Sequence, residues 1–427
     1  MTTALDSSTP DSTAVLASRE TLRLCTAGSV DDGKSTFVGR LLHDTKSVLA
    51  DQLASVERTS ADRGFDGVDL SLLVDGLRAE REQGITIDVA YRYFATDKRT
   101  FILADTPGHE QYTRNTVTGV STSQVVVLLV DARHGIVTQT RRHLTAAALL
   151  GVRSVILAVN KIDLVDFSAE VFRAIESEFV ALATELGVDD VHVVPTSALL
   201  GDNVVERSTN TKWYEGPTVL ELLETIPVGH GRALDLDFRF PVQYVIREHA
   251  SDYRGYAGRV SAGRISVGDK ISAGRGLDST VIGIDTPDGP TDTAVAGDSV
   301  TLLLADEIDL ARGSLISSGS RPEPVREFDA TIVALSEKSL RLGATLKVRY
   351  GTSLVRGRLV AINEVRNIDA GTFDTGATEV RLNDIARVRI IVATDLEVEP
   401  YAARGAVGNF LLVDQATGDT LAAGLVD

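Results

Sequence analysis

The chain has 427 residues, a formal net charge of −17, 43% hydrophobic residues and one cysteine. That length exceeds a single core, so two to four domains are expected, and the apolar share excludes a disordered chain. Lone Cys25 excludes an internal disulfide and fits a reducing cytoplasm, no apolar run is long enough for a bilayer, no secretion signal is evident, and the acidic balance argues against a free-standing nucleic-acid binder.

Residues 1–18 are rich in Ser, Thr, Asp and Ala and read as a loose, disordered tail. An apolar run at 22–27, with Cys25 as inert strand packing, leads into Gly28, Ser29, Val30, Asp31, Asp32, Gly33, Lys34, Ser35 and Thr36. This is a phosphate-binding pattern: glycine, four residues, then Gly-Lys-Ser. Gly28 and Gly33 permit backbone shapes that a Cβ resists, so successive N–H groups can face phosphate oxygens. Lys34 is expected to reach the β- and γ-phosphates and the Ser35 hydroxyl to complete a Mg²⁺ shell. A helix starting near Lys34 adds the positive end of its dipole.

A long insert follows, from residue 36 to about residue 82, and a stretch of that kind usually carries function. Gly84, Ile85, Thr86, Ile87 and Asp88 close it. The Thr86 hydroxyl can join the Mg²⁺ shell while its N–H contacts the γ-phosphate. Such contacts exist only with a triphosphate, so this switch segment is expected to order with it and be released with the diphosphate. The plain alternative is a β-branched residue entering a strand over 88–94.

After an apolar run at 101–104 come Asp105, Thr106, Pro107, Gly108 and His109. A carboxylate ending a strand beside the phosphate loop can hold Mg²⁺ through a water, and Gly108 can offer its N–H to the γ-phosphate. Apolar runs at 124–130, 154–159 and 191–194 alternate with helical patterns at 139–150 and 169–186. Asn160, Lys161, Ile162 and Asp163 end one of these strands. The Asp163 carboxylate can accept from N1 and the 2-amino group of guanine, a pairing that adenine cannot offer. Asn160 is expected to tie back to the phosphate loop, and the stem of Lys161 to cover the ring. Ser197, Ala198 and Leu199 can present an N–H to guanine O6 after the last strand. The other histidines show no metal-ligand spacing.

Beyond residue 231 short strands recur between Gly and Asp turns, with a second boundary at 320–324. The expected architecture is an α/β P-loop GTPase domain with a doubly wound, mostly parallel sheet at 19–232, followed by antiparallel β-barrels at 233–321 and 322–427.

These nucleotide-site residues resemble the GTPase pattern, in particular its translation-factor class, which also carries two barrels after its nucleotide domain. The resemblance implies that His109 orients the attacking water past an apolar gate of Val30 and Ile85. Lys34 and Thr86 complete the catalytic set, and Asp31 helps hold a monovalent cation. Longer stretches at 77–94, 109–115, 130–143, 213–217, 240–244, 254–258 and 306–309 are more specific. They resemble the large GTP-binding subunit of the heterodimeric bacterial ATP sulfurylase (sulfate adenylyltransferase subunit 1, CysN-type).

What that resemblance implies is a GTP-hydrolysing regulatory subunit. A smaller catalytic partner, bound as a heterodimer, transfers AMP from ATP to sulfate. The products are adenosine 5′-phosphosulfate (APS) and pyrophosphate, and GTP hydrolysis drives the reaction in sulfate assimilation. No second phosphate-loop pattern occurs, so the APS kinase fused in some relatives is expected to be absent. Neither nucleic acid nor membrane is an expected partner, and the cytoplasm is the expected compartment. Two rivals remain: a translation elongation factor delivering aminoacyl-tRNA, which needs basic surface along the barrels, and a slow module that only recruits a partner. His109 argues for real hydrolysis.

Overall fold

The computed structural model describes residues 20–62, 64, 67–74, 88–109, 112–228, 231–248, 253–274, 276–368, 370–402 and 406–427. The tail expected over 1–18, and Gly84, Ile85, Thr86 and Ile87 of the expected switch, lie outside the described residues. The chain divides into two units, Met1–Val228 and Gly229–Asp427.

In the first unit, strands β1 (Thr21–Gly28), β2 (Ala90–Ala95), β3 (Thr100–Asp105), β4 (Val125–Asp131), β5 (Ser154–Asn160) and β6 (Asp190–Pro195) form one sheet in the order β2-β3-β1-β4-β5-β6. Edge strand β2 runs antiparallel to β3, and the remaining neighbours are parallel. All seven residues of β4 are buried, because helices cover both faces and leave no side of the strand for water. On one face Leu22, Leu24, Val127 and Leu129 pack with Phe37 and Leu41 of α1 (Lys34–Asp44) and Leu222 and Leu223 of α6 (Val219–Thr225). On the other, Cys25, Val126 and Leu128 pack with Val120 of α3 (Thr113–Thr122), Leu144 of α4 (Thr138–Leu149) and Phe172 and Phe179 of α5 (Ala169–Glu185). Each buried large side chain contributes about 1.5–3 kcal/mol.

Local chemistry sets the ends. The Ser168 side chain accepts from Val171 N at the start of α5, and Thr218 with Glu221 forms a reciprocal capping box on α6. The insert is not structureless: it holds α2 (Ala50–Asp62) and a 3-10 turn at Leu70–Leu73. Among its residues α2 buries only Val56 and Ser60, so it lies mostly in solvent.

The second unit holds two closed antiparallel systems. The first comprises β7 (Phe238–Glu248), β8 (Tyr253–Arg259), β9 (Lys270–Ser272), β10 (Asp278–Thr286), β11 (Ser299–Leu304) and β12 (Leu315–Ser318), in the order β9-β12-β7-β8-β11-β10, closed by pairing of β9 with β10. The second comprises β13 (Pro324–Ala334), β14 (Thr345–Tyr350), β15 (Ser353–Arg366), β16 (Ile385–Glu397), β17 (Asn409–Val413) and β18 (Thr420–Val426). Its order is β14-β17-β18-β13-β16-β15, closed by β14 against β15. Closure removes the unpaired strand edges that an open sheet would expose. Two bidentate pairs join the barrels: Arg239 to Glu399 at 2.7 and 2.8 Å, and Arg321 to Glu397 at 2.8 Å twice.

Candidate functional site

The carboxyl ends of β3 and β1 are neighbours in the sheet and that of β5 lies one strand further on, past β4, and the loops that leave them converge. From β1 the chain turns through Ser29, Val30 and Asp31 to Gly33, which sits at φ +88° and begins α1. The Asp32 carboxylate accepts from Ser29 N at 2.6 Å and so closes the loop on itself. Burial pushes the Asp32 carboxyl above its ordinary value, against the opposing pull of Lys34. Val30 and Asp31 are exposed, while Ser35 and Thr36 are half-buried on the first turn of the helix.

Lys34 is 7% exposed, and its Nζ donates to Gly28 O at 3.0 Å and Ser29 O at 2.6 Å. Burial pulls its pKa down, and Asp32, Asp105 and Asp31 oppose that. The ammonium is thus held by carbonyl dipoles at the loop mouth, where phosphate oxygens can compete for its protons.

The segment after β3 backs directly onto this loop. Asp105 is fully buried and accepts from Thr26 Oγ1 at 2.8 Å, and Thr106 Oγ1 donates to Thr26 O at 2.6 Å. Pro107 is anchored by Thr116 Oγ1, which donates to its carbonyl at 3.1 Å. A Cβ on Gly108 would collide with Lys34 Nζ and lie 2.7 Å from Gly28 O, so only glycine lets the two loops meet. His109 is half-buried, its ring 5.9 Å from that of Tyr112. Cys25 lies beneath Thr106, fully buried, and burial pushes its thiol up to about 12.

After β5, Asn160 bridges two loops: Nδ2 donates to Asp32 O at 2.7 Å and Oδ1 accepts from Ala198 N at 2.9 Å. A Cβ on Gly33 would strike that same Nδ2, a second reason for glycine there. Lys161 adopts φ +58° and donates to Asp31 O, and its Nζ lies 3.0 Å from Asp131 Oδ2. Ile162 is buried and its N–H donates to Thr196 O at 3.1 Å. Asp163 stands on the first turn of a 3-10 helix, and its Oδ1 is shielded from solvent with no hydrogen-bond partner. A buried carboxylate oxygen left without a donor is costly unless a ligand supplies one. Ser197 is fully buried, and Leu199 is 50% exposed at the rim. Asp88 is exposed just ahead of β2.

Three supporting side chains escape sequence reasoning. Asp131, at the end of β4, receives Arg133 through Nε at 3.0 Å and Nη2 at 2.6 Å, in addition to Lys161. Burial opposes its ionisation, yet Arg133 and Lys161 hold the carboxyl well below the ordinary range. Arg40 of α1 donates to Ala198 O at 3.0 Å and Leu199 O at 2.5 Å, bracing the loop after β6 from beneath. The one available signal was the Asp-x-Arg spacing after a buried strand.

The donor set suits hard ions: a half-buried Ser35 hydroxyl and the Asp105 carboxylate meet Mg²⁺ chemistry, not that of soft metals. Electrostatically, the loop presents one lysine and a helix N-terminus to an incoming polyanion, while a carboxylate waits at the base end.

Residues 19–228 match the family model described as the elongation factor Tu GTP binding domain, and residues 327–427 the GTP-eEF1A C-terminal domain-like model. The chain is 49% identical over 411 residues to a bifunctional enzyme CysN/CysC of Mycobacterium tuberculosis, covering 95% of this chain and 67% of that one. It is 47% identical to sulfate adenylyltransferase subunit 1 of Cellvibrio japonicus, covering 96% and 87%. The Ski7 GTPase-like domain of S. cerevisiae, solved bound to GTP, superposes with a TM-score of 0.54 at 19% identity, over 98% of this chain and all of that one. That last likeness is one of fold.

Proposed function

The chain belongs to the sulfate adenylyltransferase subunit 1 family, and from that premise we propose how its residues serve a GTP-driven ATP sulfurylase. It is the GTP-hydrolysing regulatory subunit; adenylyl transfer from ATP to sulfate, forming APS and pyrophosphate, takes place on a smaller partner subunit held as a heterodimer. The observation that carries this reading is the 47% identity running through 96% of the chain, the nucleotide loops included.

Guanine is selected by Asp163, whose buried Oδ1 takes the base N–H, with the Ser197–Leu199 segment offering a backbone N–H to O6. The Lys161 stem covers the ring, its ammonium pinned by Asp131. The loop from Gly28 to Thr36 binds the phosphates through its N–H groups and Lys34, which exchanges carbonyl partners for phosphate oxygens. Ser35, Thr86 and, through water, Asp105 would hold Mg²⁺, which when bound neutralises charge on the β- and γ-phosphate oxygens. Gly108 donates its N–H to the γ-phosphate, and His109 orients the attacking water past Val30 and Ile85. Asp31 helps seat a monovalent cation. Gly84, Thr86 and Asp88 belong to the switch that reports the nucleotide state to the partner. We assign the nucleotide domain to 19–232, the barrels to 233–321 and 322–427, and the site of action to the cytoplasm, where ATP and GTP are held.

The test is APS synthesis by the chain with its small subunit, with and without GTP. Synthesis that requires both supports the reading. APS made by this chain alone, or by the pair without any GTP dependence, overturns it.

A further inference from the structure

The outer face of the second barrel carries a group of cations that no carboxylate among the described residues balances. Strands β14 and β15 pair so that Lys347 stands opposite Arg356, Thr345 opposite Arg358 and Arg349 opposite Leu354. Leu346 and Val348 between them are fully buried, so the alternate positions point outward. Arg349, Arg356 and Arg358 are exposed and Lys347 is half-exposed. Like charges directly across a sheet repel, so this face opposes the folding of its own barrel.

The rest of the barrel shows the usual remedy. Arg326, Lys338, Arg341, Arg381, Arg387 and Arg389 each hold a carboxylate, in a chain with 60 acidic and 43 basic residues. Among the described residues, no carboxylate pairs with any of the four on β14 and β15. An acid surplus that leaves these cations unmatched points to anions from outside the chain.

Exposed aliphatic residues border the cations: Leu354 beside Arg349, Leu411 opposite Arg349 on β17, and Ile391 opposite Arg358 on β16. Nucleic acid would want aromatic platforms, but the nearby Phe410 is buried and Tyr350 accepts from Glu399 N. Mixed aliphatic and cationic surface suits a protein whose facing residues are acidic.

We propose that this β14–β15 face docks an acidic surface of the smaller adenylyl-transfer subunit, an inference that rests on the function proposed above. The unpaired charges steer the encounter and are neutralised in the heterodimer, while Leu354, Ile391 and Leu411 are covered.

The experiment is calorimetric titration of the full chain with the small subunit across a series of NaCl concentrations, for wild type, K347E/R356E and K347Q/R356Q. Far-ultraviolet circular dichroism and thermal unfolding of each variant report an intact barrel, and the neutral pair serves if charge reversal disturbs it. Expected are a wild-type Kd that rises with salt, about tenfold or greater weakening in K347E/R356E at low salt, a smaller loss in K347Q/R356Q, and a flatter salt dependence in both. If wild type binds and both variants match it in Kd and salt dependence, the docking face is elsewhere and the functional reading stands. If wild type fails to bind the small subunit at all, both fall. Binding of tRNA by wild type that the charge reversals abolish would reassign the face to nucleic acid and overturn the proposal.

Discussion

Replacing Asn160 by Ala should loosen the base end and the phosphate end of the site together. Asn160 is 2% exposed, and its amide both donates to Asp32 O at 2.7 Å and accepts from Ala198 N at 2.9 Å. Alanine leaves one acceptor and one donor without partners in a closed position. Each such orphan costs about 1–3 kcal/mol, and the lower half of the summed range applies if water enters the gap, so a loss of about 3 kcal/mol is expected. Urea unfolding followed by fluorescence reads this unit alone, because Trp213 is the sole tryptophan and its Nε1 donates to Phe167 O at 2.9 Å. At a slope of about 1–3 kcal/mol per molar urea, the midpoint should fall by roughly 1–3 M. GTP affinity should drop with it, since the Asp32 carbonyl no longer fixes the loop. An Asn160→Ala midpoint within about 0.3 M of wild type would mean that this bridge does not hold the site together.

Asp163→Asn should shift preference from GTP toward xanthosine triphosphate, because an amide offers a donor where guanine needs an acceptor; competition binding that still favours GTP would refute the pairing. His109→Ala should leave GTP binding intact and slow single-turnover hydrolysis by about a hundredfold or more, the usual scale for a lost water-orienting or proton-handling group; unchanged turnover would remove the role. Burial, aided by nearby Lys34 and Arg142, lowers His143 to about 3, so the folded state favours the neutral ring. Its contribution is complete above the ordinary histidine value near 6.5 and is lost as pH falls toward 3, at up to about 1.4 kcal/mol per pH unit. The difference in Trp213-detected stability between wild type and His143→Gln should therefore shrink below pH 6, and a difference constant from pH 7 to 4 would contradict the assignment.

What could be read from the sequence follows from which interactions are local. Runs at 22–27 and 154–159 announce strands because burial on both faces demands an unbroken apolar stretch, and β1 and β5 extend them by a residue or so. Strand β18 makes no such announcement: its Thr-Leu-Ala-Ala-Gly-Leu-Val sequence is small-residue rich, and Gly424 is there because any Cβ would enter the Phe410 ring. Helix α2 was hidden for the opposite reason, since a helix with two buried residues has hardly an apolar stripe to read. At the nucleotide site, the motif residues carry backbone geometry and so announce themselves through glycine spacing. Their supports do not. Thr26 holds Asp105 across 79 positions, and Arg40 reaches Ala198 across 158, contacts that exist only once the sheet order is set.

On the proposed nucleotide pose, those long-range contacts would link the two ends of the bound nucleotide. Asp32 accepts Asn160 through its carbonyl and Ser29 through its carboxylate, so the base-reading loop and the phosphate loop share one residue. Lys34 lies between Gly28, Ser29 and Gly108, with no room for a Cβ on Gly108. A phosphate that drew Lys34 away from those carbonyls would change what Gly108 packs against, and His109 is the next residue. On the same proposed pose, a shift set by guanine at Asp163 would reach the same lysine through Asn160 and Asp32. Such a coupling would need no distant wire: two side chains and one turn of backbone connect the two ends, each with a partner to exchange.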